Sequence, residues 1–167
     1  AISSGVFLVV LMIVLFCIAR AKGQVIAPPQ GVPVTARHVD LGKKLFFDPR
    51  LSSNGTISCA TCHNPKHGWA DPFPKALGLV VARNGSTVSR PEGTLNSPTV
   101  LEKFHSPTGF HNGRVNGRVA PTGTSMLAEQ ALLPLANPIE MGQQSVDDVL
   151  RRLRRIPGYV RLFLDAY

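Results

Sequence analysis

The residues of this sequence that could do chemistry are concentrated in one short segment, Cys59-Ala-Thr-Cys62-His63. Two cysteines three positions apart can each form a thioether with one vinyl group of a haem. The adjacent histidine then offers its imidazole to the iron from the same side. The spacing therefore predicts one covalently attached haem c, with Cys59 and Cys62 as attachment points and His63 as an axial ligand.

Two other uses of a Cys-x-x-Cys pair fit the sequence less well. A structural zinc site needs a second pair of ligands, but the third cysteine, Cys17, lies in an apolar run and the other histidines form no paired motif. A thioredoxin-like redox pair is preceded by a strand and followed by a helix, which is not the context here. Haem attachment is the favoured interpretation, and because thioethers form outside the cytoplasm, we expect the domain to lie in the periplasm.

The first of the elements around this motif is an N-terminal apolar segment. Residues 1–19 contain no charged residue, which helps to explain why only 17% of the 167 residues are charged. A signal peptide is one interpretation, since Ala19-Arg20-Ala21 resembles a small-x-small cleavage site. A retained anchor is the other, since residues 1–19 would span about 28 Å as a helix. We expect a single-pass anchor at residues 1–22 in a bacterial inner membrane, in contact with the lipid bilayer.

Composition and charge narrow the class of protein further. The apolar fraction of 44% excludes a disordered chain, and three cysteines are too few for a disulfide-stapled miniprotein. The formal net charge is +8, and four arginines, Arg151, Arg152, Arg154 and Arg155, cluster in one predicted helix. We expect a solvated face there, with docking onto an acidic partner, anionic lipid or a neighbouring subunit as the alternative. Nucleic acid is not expected, because the domain is extracytoplasmic and this helix lacks interleaved aromatic residues.

The remaining sequence divides into a linker and one folded domain. Residues 23–36 are rich in Pro and Gly and predict an extended linker, followed by a haem domain at residues 37–167. Apolar spacing predicts four helices and no convincing strand. These helices are expected at Val39–Phe47, at Met126–Leu135, after Ser145 with a core face of Val146, Val149, Leu150, Leu153 and Ile156, and near Val160–Tyr167. Residues 64–125 should be mostly loop, which suits a compact domain only if the loop wraps a ligand or cofactor.

Several blocks of this sequence, in the same order, resemble the bacterial di-haem cytochrome c peroxidase family. The blocks are Leu41–Ser52, Ser58–Pro65, Gly68–Asp71, Asn96–Thr99, Asn112–Arg114, Glu129–Ala131 and Asn137–Gly142. The resemblance covers nearly all of the domain and is to the N-terminal, peroxidatic haem domain only. It implies a mainly α, cytochrome c-like haem domain with long loops. The apolar run at residues 1–19 adds the expectation of one transmembrane helix before this domain. Since the family's second haem domain would begin where this sequence ends, we expect a single-haem form.

The resemblance also implies which residues surround the haem. Gln130 and Glu140 match residues over the distal face that position peroxide and move its proton, where a carboxylate can act as acid and base. Glu140 has a structural alternative, which is to tie down its own turn. Arg114 is expected among the haem-binding residues, and Trp69 and Phe73 are expected to pack on the porphyrin.

Three departures from the family pattern concern the distal side. Leu79 occupies the position at which many members have a histidine as the sixth ligand, Leu95 replaces an arginine, and His111 replaces a tryptophan that lies between two haems. His111 and His105 lie in the loop region and are the candidate sixth ligands, with surface or loop histidines as the alternative, while His67 should lie on the proximal side. Met126 and Met141 are expected to be core residues.

Three functions follow from these features. The preferred one is a membrane-anchored mono-haem cytochrome that carries electrons as a subunit of a photosynthetic or respiratory membrane complex. The second is a peroxidase that receives electrons from a separate soluble or membrane cytochrome. The third is a largely structural subunit of a membrane complex, so whether the chain is an enzyme stays open at this point.

Overall fold

The computed structural model describes residues 34–83, 87–116 and 126–167. The predicted anchor at residues 1–22 lies outside this part, as does the predicted linker up to residue 33. Among the described residues, no helix combines the length and the apolar character that crossing a membrane would require.

The described part of the chain is mainly helical, which confirms the predicted class. Its helices are α1 (Ala36–Phe47), α2 (Cys59–Cys62), α3 (Met126–Ala136), α4 (Val146–Arg154) and α5 (Pro157–Ala166). Helix α1 begins three residues before the predicted start, because Thr35 and His38 form a capping box there. Helix α3 continues past Pro134, whose carbonyl accepts hydrogen bonds from the N–H groups of Asn137 and Met141 in the following turn.

The prediction that no strands would form is wrong for two short antiparallel pairs. Strand β1 (Val81–Arg83) pairs with β2 (Thr87–Ser89), and β3 (Thr108–Gly109) pairs with β4 (Val115–Asn116). Strands of two or three residues are too short to produce the alternating pattern by which a strand is recognised in a sequence.

The hydrophobic core of the described part lies mainly between helices α1, α4 and α5 and the loops packed against them. Its buried members are Leu41, Leu51, Ile57, Leu79, Met141, Val149, Leu153 and Tyr159. Met141 is thus a core residue as predicted, while Met126 is half-buried. Leu150, predicted on the core face of α4, is 39% exposed, because the buried stripe of that helix is narrow and consists of Val149 and Leu153.

A buried carboxylate joins α1 to α5. Asp48 is only 8% exposed, and its carboxylate accepts hydrogen bonds from the Arg50 side chain at 2.6–3.0 Å and from the Tyr159 hydroxyl at 2.7 Å. The guanidinium of Arg50 lowers the pKa of Asp48 to about 2, and burial raises the pKa of Tyr159 to about 12. At neutral pH, Asp48 is therefore a charged acceptor and Tyr159 a neutral donor.

Backbone pairing makes the long loop compact. The segments at residues 68–78 and 91–100 run beside each other, with bonds such as Asp71 N to Ser97 O at 3.0 Å and Ala76 N to Leu95 O at 3.1 Å. The Asn96 amide also donates to the carbonyl of Asp71 at 2.9 Å. Hydrogen bonds between its own two segments therefore hold the loop in place. Such bonds leave no periodic pattern of apolar residues in the sequence.

Candidate haem site

The Cys-x-x-Cys-His motif forms one helical turn. Cys59 and Cys62 are the first and last residues of α2, and His63 continues the turn by donating its N–H to the Cys59 carbonyl at 2.9 Å. The turn is closed at its start, where the Thr61 hydroxyl accepts a hydrogen bond from the N–H of Ser58 at 2.9 Å. The two sulfurs and the imidazole are thus carried by one rigid turn.

The His63 ring is held by a backbone carbonyl. Its Nδ1 lies 2.9 Å from the carbonyl oxygen of Pro98. Because a carbonyl oxygen can only accept, Nδ1 carries the proton and Nε2 keeps its lone pair. This is the arrangement in which a histidine binds a metal through one nitrogen while the other is fixed by a hydrogen bond.

The two thiols lack the acidity of redox-active cysteines. Burial raises the pKa of Cys59, and burial together with the charge of Asp71 raises the pKa of Cys62 to about 11. Reactive cysteines have pKa values shifted in the opposite direction, so this pair does not resemble a thioredoxin-type centre. Two neutral thiols and one imidazole with a free Nε2 fit a c-type haem, which these residues would hold.

Glu140 is a half-buried carboxyl whose charge acts on these thiols. Its charge contributes to the raised pKa of both Cys59 and Cys62, which places it within electrostatic reach of the motif. Burial raises the pKa of Glu140 itself, while Arg114 and a hydrogen bond from Asn137 oppose that change. The Asn137 amide donates to Oε1 at 2.7 Å, which leaves Oε2 for other partners.

Gln130 has a buried polar atom with no partner within the described ranges. Its amide oxygen, Oε1, is shielded from solvent and accepts no hydrogen bond there. It lies against Gly109 of β3, where there is no space for a side chain. A buried acceptor without a donor costs free energy, so a bound molecule with an O–H or N–H group would be stabilised beside it.

Arg114 is held by an aromatic ring of the same hairpin. Its guanidinium carbon lies 3.5 Å from the centre of the Phe110 ring, and its backbone N–H donates to the Asn112 side chain at 3.2 Å. Phe110 has a left-handed backbone with φ of 54°, which is uncommon for a non-glycine residue. The aromatic face holds the guanidinium of Arg114 in place. Its positive charge lowers the pKa of Glu140.

Leu79, which the family resemblance places at the position of the sixth ligand, points into the core. It is 5% exposed, and its N–H donates to the Ile139 carbonyl at 3.0 Å. The preceding Gly78 runs so close to this carbonyl that a side chain at position 78 would overlap it. The backbone at residues 78–79 therefore supports the residue immediately before Glu140.

The structure does not bring the two histidines predicted as sixth ligands to the site residues described above. His105 and His111 are exposed, and within the described part of the chain no contact joins either ring to Gln130, Glu140 or Arg114. His67 is also exposed.

Trp69 packs on Phe46 and Phe47 of α1, with its ring centre 5.7 Å from that of Phe46 and 6.2 Å from that of Phe47, and Phe73 is 51% exposed. Their contacts with a porphyrin stay a prediction.

Sequence reasoning missed three groups that support the site. These are the Pro98 carbonyl, the Asn137 amide and Arg90, which donates to the carbonyls of Leu77 and Gly78 at 2.6 and 3.0 Å. Asn137 lies three residues before Glu140, a spacing that suits a side-chain bond across a turn. The hydrogen bonds of the Pro98 carbonyl and of Arg90 join residues 12 to 35 positions apart, and such bonds leave no pattern in the sequence.

Known proteins are similar to this chain in sequence. Residues 36–167 match the family model described as di-haem cytochrome c peroxidase. The chain is 40% identical over 139 residues to the methylamine utilization protein MauG of Methylorubrum extorquens, an alignment that covers 83% of this chain and 34% of that protein. It is 35% identical over 139 residues to the cytochrome c peroxidase Ccp of Escherichia coli, which covers 83% and 26%.

Solved structures share its fold. A MauG-like protein associated with microbial copper homeostasis has a TM-score of 0.66 at 28% identity, over 87% of this chain and 39% of that chain. The diheme peroxidase BthA from Burkholderia thailandensis has a TM-score of 0.56 at 27% identity, over 75% and 31%. The chain spans about a third of the length of the curated relatives it matches. The segment that matches the family model takes in every residue of the site described above, and the chain belongs to the di-haem cytochrome c peroxidase family.

Proposed function

We propose that this chain is the peroxide-reducing haem c domain of a peroxidase, in which Glu140 moves the proton. The observation that carries the proposal is the half-buried Glu140 carboxyl, with its raised pKa, within electrostatic reach of the two haem-attachment cysteines. Hydrogen peroxide, two electrons and two protons give two water molecules. The electrons come from a separate cytochrome.

The cofactor would be held by Cys59 and Cys62 through thioethers and by Nε2 of His63. When bound, haem c supplies the one-electron redox chemistry that no side chain of this site has. We propose one haem for this segment, because the described residues and the sequence carry a single Cys-x-x-Cys-His motif.

Glu140 is suited to act first as a base and then as an acid. With Oε1 bound by Asn137, Oε2 is the atom that takes a proton from one peroxide oxygen and returns it to the other, which leaves as water. Burial raises the pKa of Glu140 and makes the carboxyl a stronger base. The charge of Arg114 and the hydrogen bond from Asn137 oppose that rise.

Gln130 is suited to orient the substrate. Its buried amide oxygen is an acceptor without a donor in the described part of the chain, and hydrogen peroxide has two O–H groups to offer. A peroxide whose O–H points at Gln130 is fixed in orientation before proton transfer, which lowers the entropic part of the barrier.

Peroxide turnover by the haem-loaded Glu140→Gln variant tests the proposal. We expect kcat to fall by about 10²- to 10⁴-fold, the range in which a positioned acid or base contributes. Haem content and the visible spectrum should match those of the wild type. Glu129→Gln is the matched control, because Glu129 is an exposed carboxylate on α3. Wild-type turnover in Glu140→Gln would refute the assignment.

Electron transfer without peroxide turnover is the second candidate, motivated by the apolar N-terminal run and by two histidines, His105 and His111, in the long loop. It requires one of these imidazoles as the sixth ligand. A low-spin spectrum in both oxidation states, lost in His105→Ala or His111→Ala, would favour it. The buried position of Leu79 and the exposure of both histidines favour the peroxidase instead.

We also propose that residues 1–22 anchor the domain on the periplasmic side of an inner membrane, where it meets its redox partner. The support is the charge-free apolar run at residues 1–19. Cell fractionation with an alkaline carbonate wash tests this, since an anchored chain stays with the membrane pellet. Recovery of the whole chain in the periplasmic extract would count against the anchor.

A further inference from the structure

Arg152 is bound to the backbone of a neighbouring loop and is not part of a solvated basic face. Its Nη1 donates to the carbonyls of Arg50 and Ser52 at 2.7 and 2.6 Å, and its Nη2 donates to that of Ser53 at 3.1 Å. The side chain is half-buried, which corrects the expectation that all four clustered arginines face solvent. One guanidinium thus fixes a turn at residues 50–53.

This turn holds the segment that follows Glu140. The N–H of Ser53 donates to the Met141 carbonyl at 2.8 Å, and the Gln143 amide donates to the Leu51 carbonyl at 2.7 Å. Gly142, which lies between Met141 and Gln143, has a φ of 64°, and a side chain at this position would overlap first with Leu79 and then with the hydroxyl of Ser53. Residues 141–143 are therefore docked on the turn that Arg152 fixes.

Glu140 is consequently held from both sides. Before it, the N–H of Leu79 binds the Ile139 carbonyl at 3.0 Å, and the Asn137 amide binds its carboxyl at 2.7 Å. After it, Met141 is docked on the turn at residues 50–53. The structure assigns Arg152 the role of a positioning residue for Glu140, acting through that turn. This inference rests on the proposed function.

The experiment compares Arg152→Gln with Arg154→Gln in the haem-loaded protein. Both remove one positive charge from α4, but the side chain of Arg154 is exposed and forms no ion pair or hydrogen bond within the described ranges. We expect kcat for peroxide to fall about tenfold in Arg152→Gln, since misplacing a reacting group by about 1 Å can cost up to 10²-fold. Arg154→Gln should stay within about twofold of the wild type.

Two further measurements separate positioning from general stability. In a Glu140→Gln background, Arg152→Gln should lower turnover by less than about twofold, because a residue that acts through Glu140 has nothing left to position. Amide hydrogen exchange of Ser53 and Gly142 should become at least about tenfold faster in Arg152→Gln, and not in Arg154→Gln.

Arg152→Lys keeps the positive charge but has fewer hydrogen-bond donors, so its turnover and exchange rates should lie between those of the wild type and Arg152→Gln. This variant replaces Arg152→Gln in both measurements if the glutamine variant does not fold.

The outcomes are distinguishable. Wild-type exchange at Ser53 and Gly142 in Arg152→Gln would overturn the inference and leave the proposed function standing. An equal loss of turnover with and without the Glu140 carboxyl would also overturn it, because Arg152 would then act by another route. Wild-type turnover in Glu140→Gln would overturn the proposed function and, with it, the catalytic role given to Arg152.

Discussion

Replacing Asp48 by Asn tests the link between α1 and α5. The carboxylate accepts hydrogen bonds from Arg50 and Tyr159, and its pKa falls from 3.8 to about 2 on folding. A carboxyl with that change stabilises the folded state by about 2 kcal/mol at neutral pH. The asparagine variant loses this charge, so its free energy of unfolding should be lower by about that amount.

The pH dependence follows from the same two pKa values. Because the pKa of Asp48 is lowered in the folded state, its contribution is complete well above 3.8 and is lost as the pH falls through about 2. We expect roughly half of the neutral-pH difference between wild type and variant to be gone at about pH 3. Urea unfolding of the haem-loaded protein, followed by far-UV circular dichroism between pH 7 and pH 3, measures it.

Asp40→Asn is the matched control for this experiment. Asp40 lies on α1 and pairs with Lys44 at 3.7 Å, but both side chains are about half exposed. An exposed pair of this kind contributes about 0.3–0.5 kcal/mol. Equal destabilisation by the two substitutions, or a difference for Asp48→Asn that does not shrink toward pH 3, would refute the reasoning.

Two further predictions concern the haem motif and the turn after Glu140. Cys59→Ser should leave one vinyl group conjugated with the porphyrin, so the reduced pyridine haemochrome should absorb at longer wavelength than the wild type; an unchanged spectrum would contradict thioether attachment at this cysteine. Gly142→Ala should lower the free energy of unfolding by about 2–4 kcal/mol, since a left-handed backbone and contacts with Leu79 and Ser53 act together. Gly55→Ala, with a φ of 73° and free space around it, isolates the backbone part at about 1 kcal/mol.

The haem motif could be predicted because all its information lies in five consecutive residues. Cys59, Cys62 and His63 occupy one helical turn, so their geometry follows from their spacing alone. The helices were predictable for a similar reason, since a cap such as Ser145 and apolar spacing such as that of Val149 and Leu153 are local patterns. The start of α1 lies three residues before the predicted one, because the cap at Thr35 and not the apolar pattern sets it.

The supports of the site could not be predicted in the same way. The bond from His63 to Pro98 joins a side chain to a backbone carbonyl 35 residues away, and every residue has such a carbonyl. Arg152 has the same charge as Arg151 and Arg154 of the same helix and as Arg155, which follows the helix directly. Only the position of the turn at residues 50–53 distinguishes it, and that position depends on how the helices pack.

The tight fit of Gly78 has a consequence for comparing sequences. Since a side chain at position 78 would overlap the Ile139 carbonyl, a protein with any other residue there must have moved the backbone on one side of that contact. The backbone on the far side leads directly into Glu140. The residue aligned with Gly78 therefore indicates, from a sequence alone, whether a relative can keep the same backbone contact immediately before this carboxylate. Collections of sequences can be sorted by that single position before any of the proteins is made.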